Sequence, residues 1–308
     1  LILKDGQEIT ADLFIDCTGF KSMLLGGAMQ EEFVSCAEKL PVNRTWAVQI
    51  PYVDAEKEIQ NFTESTALGY GWVWNAPLYS RIGTGYVYSD KFTTPEEALE
   101  EFKVYLRKRF GEERINDSLK FNEIKFKSGT YRRTWVKNVV AIGLSQGFVE
   151  PLEATSIHAT LIQLDFLLTN TTNFNLEKEN TIFESNINRY NEFVGRFFDD
   201  IKDLIQLHYM TDREDTAFWK YCKYEMKRTD NVKDILNICK HRSPSMLDFN
   251  FYHGSGNWGV WCWSLIGLGH LTKEVAKNTL KAYNNTDEQI LNVFNGIKNR
   301  NFKNSIRC

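Results

Sequence analysis

The first half of the chain alternates short apolar runs with turn residues, a pattern typical of β-strands. Runs rich in aromatic and β-branched side chains lie at residues 46–52, 85–88, 121–126 and 139–143. Residues 1–16 show two further short runs separated by Asp5-Gly6, which predicts a β-hairpin at the start of the chain. We therefore expect strands joined by turns up to about residue 145.

One helix interrupts these strands, and its ends are clearly marked. Thr94 can cap it, Pro95 suits the first helical position, and Glu97 completes a capping box. Apolar residues recur on one face between residues 99 and 110, and Gly111 ends the pattern. This spacing predicts an amphipathic helix that covers the sheet.

From about residue 153 the apolar positions change to a helical period. Apolar side chains recur at 157, 161, 164 and 168 and again over residues 179–210, and two last helices are expected at 271–283 and 286–299. Residues 243–270 are rich in aromatic residues and glycine, as in a pocket lid or a packed aromatic corner. The second half is therefore predicted to be largely helical and to pack directly against the first.

Composition and charge exclude several classes of protein. The 308 residues are 43% hydrophobic, and 37 Lys and Arg nearly balance 40 Asp and Glu. No block of like charges suggests a nucleic-acid partner, so a small or neutral partner is expected. No apolar run is long enough to span a membrane, and no signal peptide is visible. The pattern predicts a soluble, cytoplasmic protein.

Cysteine spacing and the first residue add two expectations. The six cysteines are widely scattered without a CxxC pair, so we expect reduced thiols and no zinc site. The chain opens at Leu1, without Met, inside the predicted hairpin. A natural N-terminus further upstream is therefore expected, and part of a functional site with it.

The segment at residues 139–158 is the most informative for chemistry. An apolar strand runs into a glycine-containing loop, and that loop opens a helix whose unpaired N–H groups can hold an anion. Two acids, Glu150 and Glu153, lie beside the helix start. Either is a first-turn carboxylate favoured by the helix dipole or a positioned general acid or base.

Residues 139–158, together with residues 14–20 and 71–78, resemble the flavin-dependent halogenases of the tryptophan halogenase family. The family hallmark is Trp-x-Trp-x-Ile-Pro, matched here by Trp72, Trp74 and Pro77, with Ala76 in place of isoleucine. Further similarity lies at residues 40–41, 81–88 and 213–219, in the family's order along the chain. Without the resemblance, the two tryptophans would be read as one face of a strand in an aromatic core.

The resemblance implies an α/β (α+β) protein with a flavoprotein-monooxygenase-like FAD-binding fold and a mostly helical C-terminal cap. Residues 1–168 are expected to form the remainder of the FAD-binding core and residues 169–308 a helical substrate-binding cap. Family members carry GxGxxG and a catalytic lysine near the N-terminus, and neither is found here. The chain looks like the C-terminal three-fifths of such an enzyme.

The resemblance also implies an activity and its partners. Family members use FAD as FADH2, oxygen and a halide ion (chloride, bromide or iodide) to form hypohalous acid, which halogenates an aromatic substrate. A separate flavin reductase supplies the FADH2. By position, Glu153 matches the catalytic glutamate, and the backbone amides of Thr155 and Ser156 match the halide site.

Other positions carry over as binding residues. Gly19 and Gly143 match family positions at which the backbone closely approaches FAD. Trp72, Trp74 and Pro77 are expected to belong to the same cofactor site. Gly19 has an alternative as part of a plain strand-ending Thr-Gly turn.

For the substrate, Glu214, Phe218 and Trp219 match the residues that grip the amino acid in tryptophan-specific members. Leu207 and His208 stand where those members have a tyrosine pair, so His208 is also expected to bind the substrate. This departure favours indole- or phenol-like substrates, with tryptophan still possible. Phe218 and Trp219 have an alternative as core residues, and His208 as a hydrogen-bonded imidazole without a catalytic role.

Two other functions stay open from sequence. One is a flavin-dependent aromatic monooxygenase of the same fold, which hydroxylates its substrate. The other is an inactive truncated remnant or scaffold, because half of the flavin site and the lysine are not in this chain. A homodimer stays open beside a monomer.

Overall fold

The computed structural model describes residues 1–171, 184–249, 258–282 and 288–289. These residues form two compact units, one of residues 1–229 and one of the described residues from 230 onward. The division expected from sequence, into an FAD-binding core (1–168) and a cap (169–308), stays a prediction.

Strands dominate up to residue 148, as the apolar runs predicted. In chain order the strands are β1 (Phe14–Asp16), β2 (Phe33–Ser35), β3 (Arg44–Pro51), β4 (Glu64–Ala67), β5 (Gly71–Pro77), β6 (Arg81–Tyr88), β7 (Asn122–Lys125), β8 (Gly129–Tyr131), β9 (Trp135–Val136), β10 (Val139–Ala141) and β11 (Gly147–Phe148). The largest sheet has five antiparallel strands in the order β4-β5-β6-β3-β7. Two three-stranded sheets have the orders β1-β10-β9 and β11-β8-β2.

Helices dominate after residue 154. The described helices are α1 (Ala55–Glu58), α2 (Pro95–Phe110), α3 (Thr155–Thr171), α4 (Glu184–His208), α5 (Ala217–Tyr224), α6 (Asp230–Ile238), α7 (Trp258–Gly267) and α8 (Lys273–Ala282). The expected helix at 271–283 is confirmed as α8, whereas the one at 286–299 lies outside the described residues apart from 288–289. Within the described ranges, no helix is long and apolar enough to cross a membrane.

Helix α2 covers the five-stranded sheet as its sequence predicted. The capping box is present, because Thr94 Oγ1 accepts from the Glu97 N–H at 3.2 Å and the Glu97 carboxylate accepts from the Thr94 N–H at 3.1 Å. Phe102 and Leu106 are fully buried against sheet residues such as Tyr86. This core fixes the strand that carries the two tryptophans, β5.

The first strand is shorter than the sequence predicted. Residues 1–9 form a hairpin-like turn with a single bridge between Ile2 and Glu8, and Gly6 takes the positive φ of the predicted turn. Only residues 14–16 are extended, where they pair in parallel with β10. Residues 1–12 are exposed, so no buried face extends the strand toward the turn.

Helix α3 buries a different face from the one its apolar periodicity suggested. Ala159, Gln163 and Leu167 are buried, while Ile157 and Leu168 are 77% and 60% exposed. The buried side packs on α4, where the rings of Phe166 and Phe193 stack at 3.9 Å. Both sides of α3 are apolar, so the period identified the helix but not its inner face.

The second unit contains the described part of the aromatic insert. Trp261 of α7 is buried and its ring lies 5.3 Å from that of Phe249. The Ser243 N–H donates to Thr279 Oγ1 of α8. This packing agrees with the alternative that residues 243–270 form a packed aromatic corner. Residues 250–257 lie outside the described ranges.

Candidate active site

The loop that follows β10 is tied to the end of β1. Gly143 has a positive φ of +69°, and its N–H donates to Gln163 Oε1 of α3 at 2.9 Å. The buried Ser145 hydroxyl lies against the carbonyl oxygens of Asp16 and Ile142. Two segments from opposite ends of the β-rich part are therefore held side by side, as the parallel pairing of β1 and β10 requires.

A tight turn separates the two glutamates from α3. The Ala154 N–H donates to the Pro151 carbonyl at 2.9 Å, and Ala154 has a φ of +52°, which is rare for a residue with a side chain. The helix begins only at Thr155. The expectation that Glu150 or Glu153 is a first-turn carboxylate is therefore wrong, because the turn places both before the helix.

Thr155 and Ser156 are the first two residues of α3 and line a cavity of about 460 Å³. Backbone N–H groups at a helix start have no acceptor within the helix and carry partial positive charge. Gly143 and Trp74 line the same cavity. The structure therefore brings together four residues that the sequence had assigned to the flavin and halide sites.

The backbone at Gly19 is uncovered, and its neighbour Phe20 reaches the same cavity. Gly19 has a φ of +66°, and no heavy atom lies within 4 Å of the position that a Cβ would take. The next residue, Phe20, lines the cavity and packs edge-on against Phe148 at 5.4 Å. An aromatic wall and an uncovered backbone suit a flat ring.

The two tryptophans of β5 have different surroundings. Trp74 lies over Gly85 of β6, where a Cβ would come within 2.0 Å of the indole. Trp72 is buried, and its Nε1 donates to Glu150 Oε1 at 3.1 Å. Pro77 ends the strand and lines a different cavity of about 270 Å³, so the structure does not bring it to the residues above.

Glu150 is a fully buried carboxyl group. Its Oε1 accepts from the Tyr209 hydroxyl at 2.5 Å as well as from Trp72, while Oε2 has no partner among the described residues. Burial raises the pKa of Glu150 to about 8, against the lowering effect of the two hydrogen bonds. Burial and the nearby carboxyl also raise the pKa of Tyr209 well above its usual value.

Glu153 pairs with His208, the last residue of α4. Glu153 Oε1 lies 2.8 Å from His208 Nε2, and His208 Nδ1 lies 2.9 Å from the Leu204 carbonyl. Burial lowers the pKa of His208, but the hydrogen bond and charge of Glu153 raise it above the usual value of 6.5, with help from Leu204 and Glu150. The pair is three-quarters covered by protein, with 25% and 28% of the two side chains exposed.

The expected substrate residues do not form one cluster. Phe218 and Trp219 are buried, with Tyr209 packed 6.1 and 6.2 Å from their ring centres, and Trp219 Nε1 donates to the Leu68 carbonyl. Glu214 is half exposed and pairs with Lys223 and Tyr224. Their roles as substrate residues stay predictions, and in this conformation protein side chains cover the two rings.

Sequence reasoning gave no role to Tyr209 and left Glu150 as one of two alternatives. Glu150 contacts partners 78 residues before it and 59 residues after it in the chain. No local pattern reports such contacts. The one available signal was a carboxyl group within an apolar segment, between Val149 and Pro151.

Solved structures of similar proteins give the class. A tryptophan C-6 flavin-dependent halogenase of taromycin biosynthesis superposes with a TM-score of 0.81 at 33% identity, over 92% of this chain and 54% of that one. A tryptophan 6-halogenase of Streptomyces toxytricini gives 0.76 at 31% identity, over 89% and 50%. The fold is that of the flavin-dependent halogenases, which confirms the fold class expected from sequence.

Sequence comparison gives the family. The profile described as "Tryptophan halogenase" matches residues 1–285. The tryptophan 7-halogenase RebH of Lentzea aerocolonigenes is 32% identical over 96% of this chain and 56% of its own length, and the tryptophan 6-halogenase ThaL of Streptomyces albogriseolus is 34% identical over 82% and 46%. The chain belongs to the tryptophan halogenase family, and it spans about half the length of the curated relatives it matches.

Proposed function

We propose that the protein containing these residues is a halogenase that uses FADH2, oxygen and a halide to halogenate an electron-rich aromatic substrate, indole- or phenol-like, with tryptophan among the candidates. The observation that carries the proposal is the cavity of about 460 Å³ that Trp74, Gly143, Thr155 and Ser156 share. The similarity to the two tryptophan halogenases described above supports it.

The residues present fit part of a flavin site. Gly143 and Gly19 expose backbone at positive φ, and Trp74 and Phe20 offer flat apolar walls. When bound, reduced FAD supplies the electrons with which oxygen converts a halide into hypohalous acid. In this proposal Gly19 and Gly143 let the flavin approach closely, while Trp72 holds the loop of Glu150 in place.

The start of α3 is the proposed halide site. Chloride, bromide or iodide would accept hydrogen bonds from the backbone N–H groups of Thr155 and Ser156, with the dipole of the 17-residue helix behind them. A site made of backbone donors does not depend on a particular side chain. It therefore does not require particular side chains at Ser156 or at the neighbouring Ala154.

Glu153 is the proposed catalytic residue. Its Oε1 is held by His208, so Oε2 can accept the proton that leaves the aromatic ring when halogen replaces it. Glu153 does not line the cavity of Thr155 and Ser156, and it lies on the turn that leads to α3. This arrangement supports a substrate position separate from the halide.

The substrate pocket is proposed to lie beside Glu153 and His208. Phe218 and Trp219 would shape it through their contact with Tyr209, and they would stack on a ring only after a rearrangement that uncovers them. Glu214 already binds Lys223 and Tyr224, and these two partners would compete with a substrate amino group. Simple indoles and phenols, which need no amino-group clamp, are therefore proposed to react as well as tryptophan.

A separate flavin reductase is the proposed partner. The proposed location is the cytoplasm, which supplies NADH to such a reductase and keeps thiols reduced, as in the five described cysteines, all of which are free.

Product analysis tests this function. The whole protein that contains these residues is incubated with FAD, NADH, a purified flavin reductase, bromide or chloride, and indole, phenol or tryptophan, and products are identified by mass spectrometry. We expect monohalogenated product only when the reductase and a halide are both present. A hydroxylated product identifies the monooxygenase alternative, and no product under any condition identifies the inactive alternative.

Substrate choice is tested by comparing kcat/KM for tryptophan and for simple indoles. The proposal expects the indoles to match or exceed tryptophan, because ring burial supplies the binding energy and a zwitterion loses hydration unless its charges are paired. A preference for tryptophan of two orders of magnitude or more would contradict it and would assign Glu214 to the amino group.

A further inference from the structure

His208 is held at both ring nitrogens. Nδ1 faces the Leu204 carbonyl at 2.9 Å, and a carbonyl oxygen only accepts, so Nδ1 carries a hydrogen. Nε2 faces Glu153 Oε1 at 2.8 Å. Because the neutral imidazole has one N–H, Nε2 can donate to a carboxylate only when the ring is an imidazolium.

The surroundings favour the imidazolium. Of the described groups, Glu153 acts on the ring by direct contact, and Glu150, on the same loop before α3, adds a through-space attraction only when it is ionised. Leu204 contributes from the ring's own helix. The neighbouring Tyr209 directs its hydroxyl to Glu150 and is not a donor to His208.

We propose that His208 is the positioning residue of Glu153: its imidazolium binds Oε1 and thereby fixes the direction of Oε2. The inference rests on the catalytic role proposed above for Glu153. His208 does not itself touch the substrate in this proposal. The α4 backbone anchors the ring through Leu204, so the carboxylate is oriented by a rigid element and not by its own turn.

The hydrogen bond between His208 and Glu153 should weaken as the pH rises. The pKa of His208 lies above its usual value of 6.5 in the folded protein, so the imidazolium predominates at pH 6.5 and below and is lost as the pH rises through the folded value. Above it, Nε2 presents a lone pair to the Glu153 carboxylate, and the contact becomes repulsive. Halogenation should therefore fall at alkaline pH as His208 loses its proton.

Two amide variants separate the two hydrogen bonds. In His208→Gln the amide nitrogen stands near the place of Nε2 and donates to Glu153 at any pH, whereas in His208→Asn it stands near the place of Nδ1 and leaves Glu153 unheld. We expect His208→Gln to keep kcat within about threefold and to lose the alkaline limb, and His208→Asn to lose at least about tenfold in kcat with little change in KM. Equal losses in both variants, or an unchanged limb in His208→Gln, would overturn the proposal.

A second measurement needs no catalysis. The chain has five histidines, few enough to follow individually by NMR with ¹⁵N-labelled histidine, and His208 is assigned by the signal missing from His208→Asn. We expect more than half of the ring to be doubly protonated at pH 6.5, and its titration midpoint to fall in Glu153→Gln. An unchanged midpoint in Glu153→Gln would overturn the pairing, even if the protein proves not to be a halogenase.

Discussion

The indole N–H of Trp72 donates to the carboxyl of Glu150 at 3.1 Å, and this bond joins the tryptophan-bearing strand to the loop that precedes α3. Tyr209 approaches the same carboxyl oxygen from the end of α4. One buried group thus connects a strand, a loop and a helix around the candidate site. The arrangement makes Glu150 a structural centre, although Glu153 is the proposed catalytic residue.

Removing the Trp72 donor should destabilise the protein mainly through Glu150. Trp72→Phe is expected to lower the free energy of unfolding by about 1–3 kcal/mol, because a buried acceptor loses a partner. In a Glu150→Leu background, Trp72→Phe should lower the free energy of unfolding by a smaller amount. The difference between the two effects, which is the coupling free energy of the two side chains, is expected to be about 0.5–3 kcal/mol. Denaturant unfolding of the four proteins measures this, and additive effects would show that the bond carries no stability.

Glu150 should make stability fall as the pH rises. Its pKa is about 8 in the folded protein and near 4.5 when exposed, so between these values the folded state binds the extra proton. The free energy of unfolding should decrease by up to about 1.4 kcal/mol per pH unit from this group. Glu150→Gln should flatten the dependence of Tm on pH between 5.5 and 7.5, whereas Glu56→Gln, at an exposed glutamate, should leave it unchanged. Parallel curves for wild type and Glu150→Gln would contradict the raised pKa.

A methyl group at Gly85 should displace Trp74. The added Cβ would stand 2.0 Å from the indole, so the ring must leave its place at the cavity, at a cost of about 1–3 kcal/mol. Gly83→Ala on the same strand is the matched control, since its Cβ meets Leu78 at an ordinary 3.5 Å. We expect weaker FAD binding, measured by flavin fluorescence, in Gly85→Ala alone. Equal affinities would remove Trp74 from the flavin site.

Glycine should be at least as stabilising as alanine at position 154. Its φ of +52° costs a residue with a Cβ about 1–2 kcal/mol, so Ala154→Gly should leave stability unchanged or raise it by up to about 1 kcal/mol. Ala159→Gly, inside α3, should lower stability by about 1 kcal/mol or more. Thermal unfolding compares the two variants, and a similar loss in both would show that the turn does not need the left-handed conformation.

Local signals predicted the local structure well. The capping residues gave the start of α2, and the apolar runs at residues 46–52 and 139–143 gave strands that the structure contains. The strand–loop–helix pattern also gave the residues that share a cavity with Trp74. In each case the physical cause lies within a few residues of the pattern, in a cap, an alternation or a helix start.

Long-range contacts could not be predicted in the same way. The pairing of Glu153 with His208 joins residues 55 positions apart, and it depends on how α4 packs beside the loop. The inner face of α3 was also undetermined, because Ile157 and Leu167 are equally apolar in sequence. The Glu153–His208 contact and the buried face of α3 both depend on tertiary packing, about which a single sequence carries little information.

The proposed role of Glu153 is tested most directly by Glu153→Gln in the whole protein, assayed with a flavin reductase, bromide and an indole, alongside FAD affinity. The amide keeps the shape of the side chain but does not accept the ring proton as a carboxylate does. We expect halogenated product to fall by at least about a hundredfold while the Kd for FAD stays within a few-fold of wild type. Unchanged turnover in this variant would contradict the assignment of Glu153 as the catalytic residue.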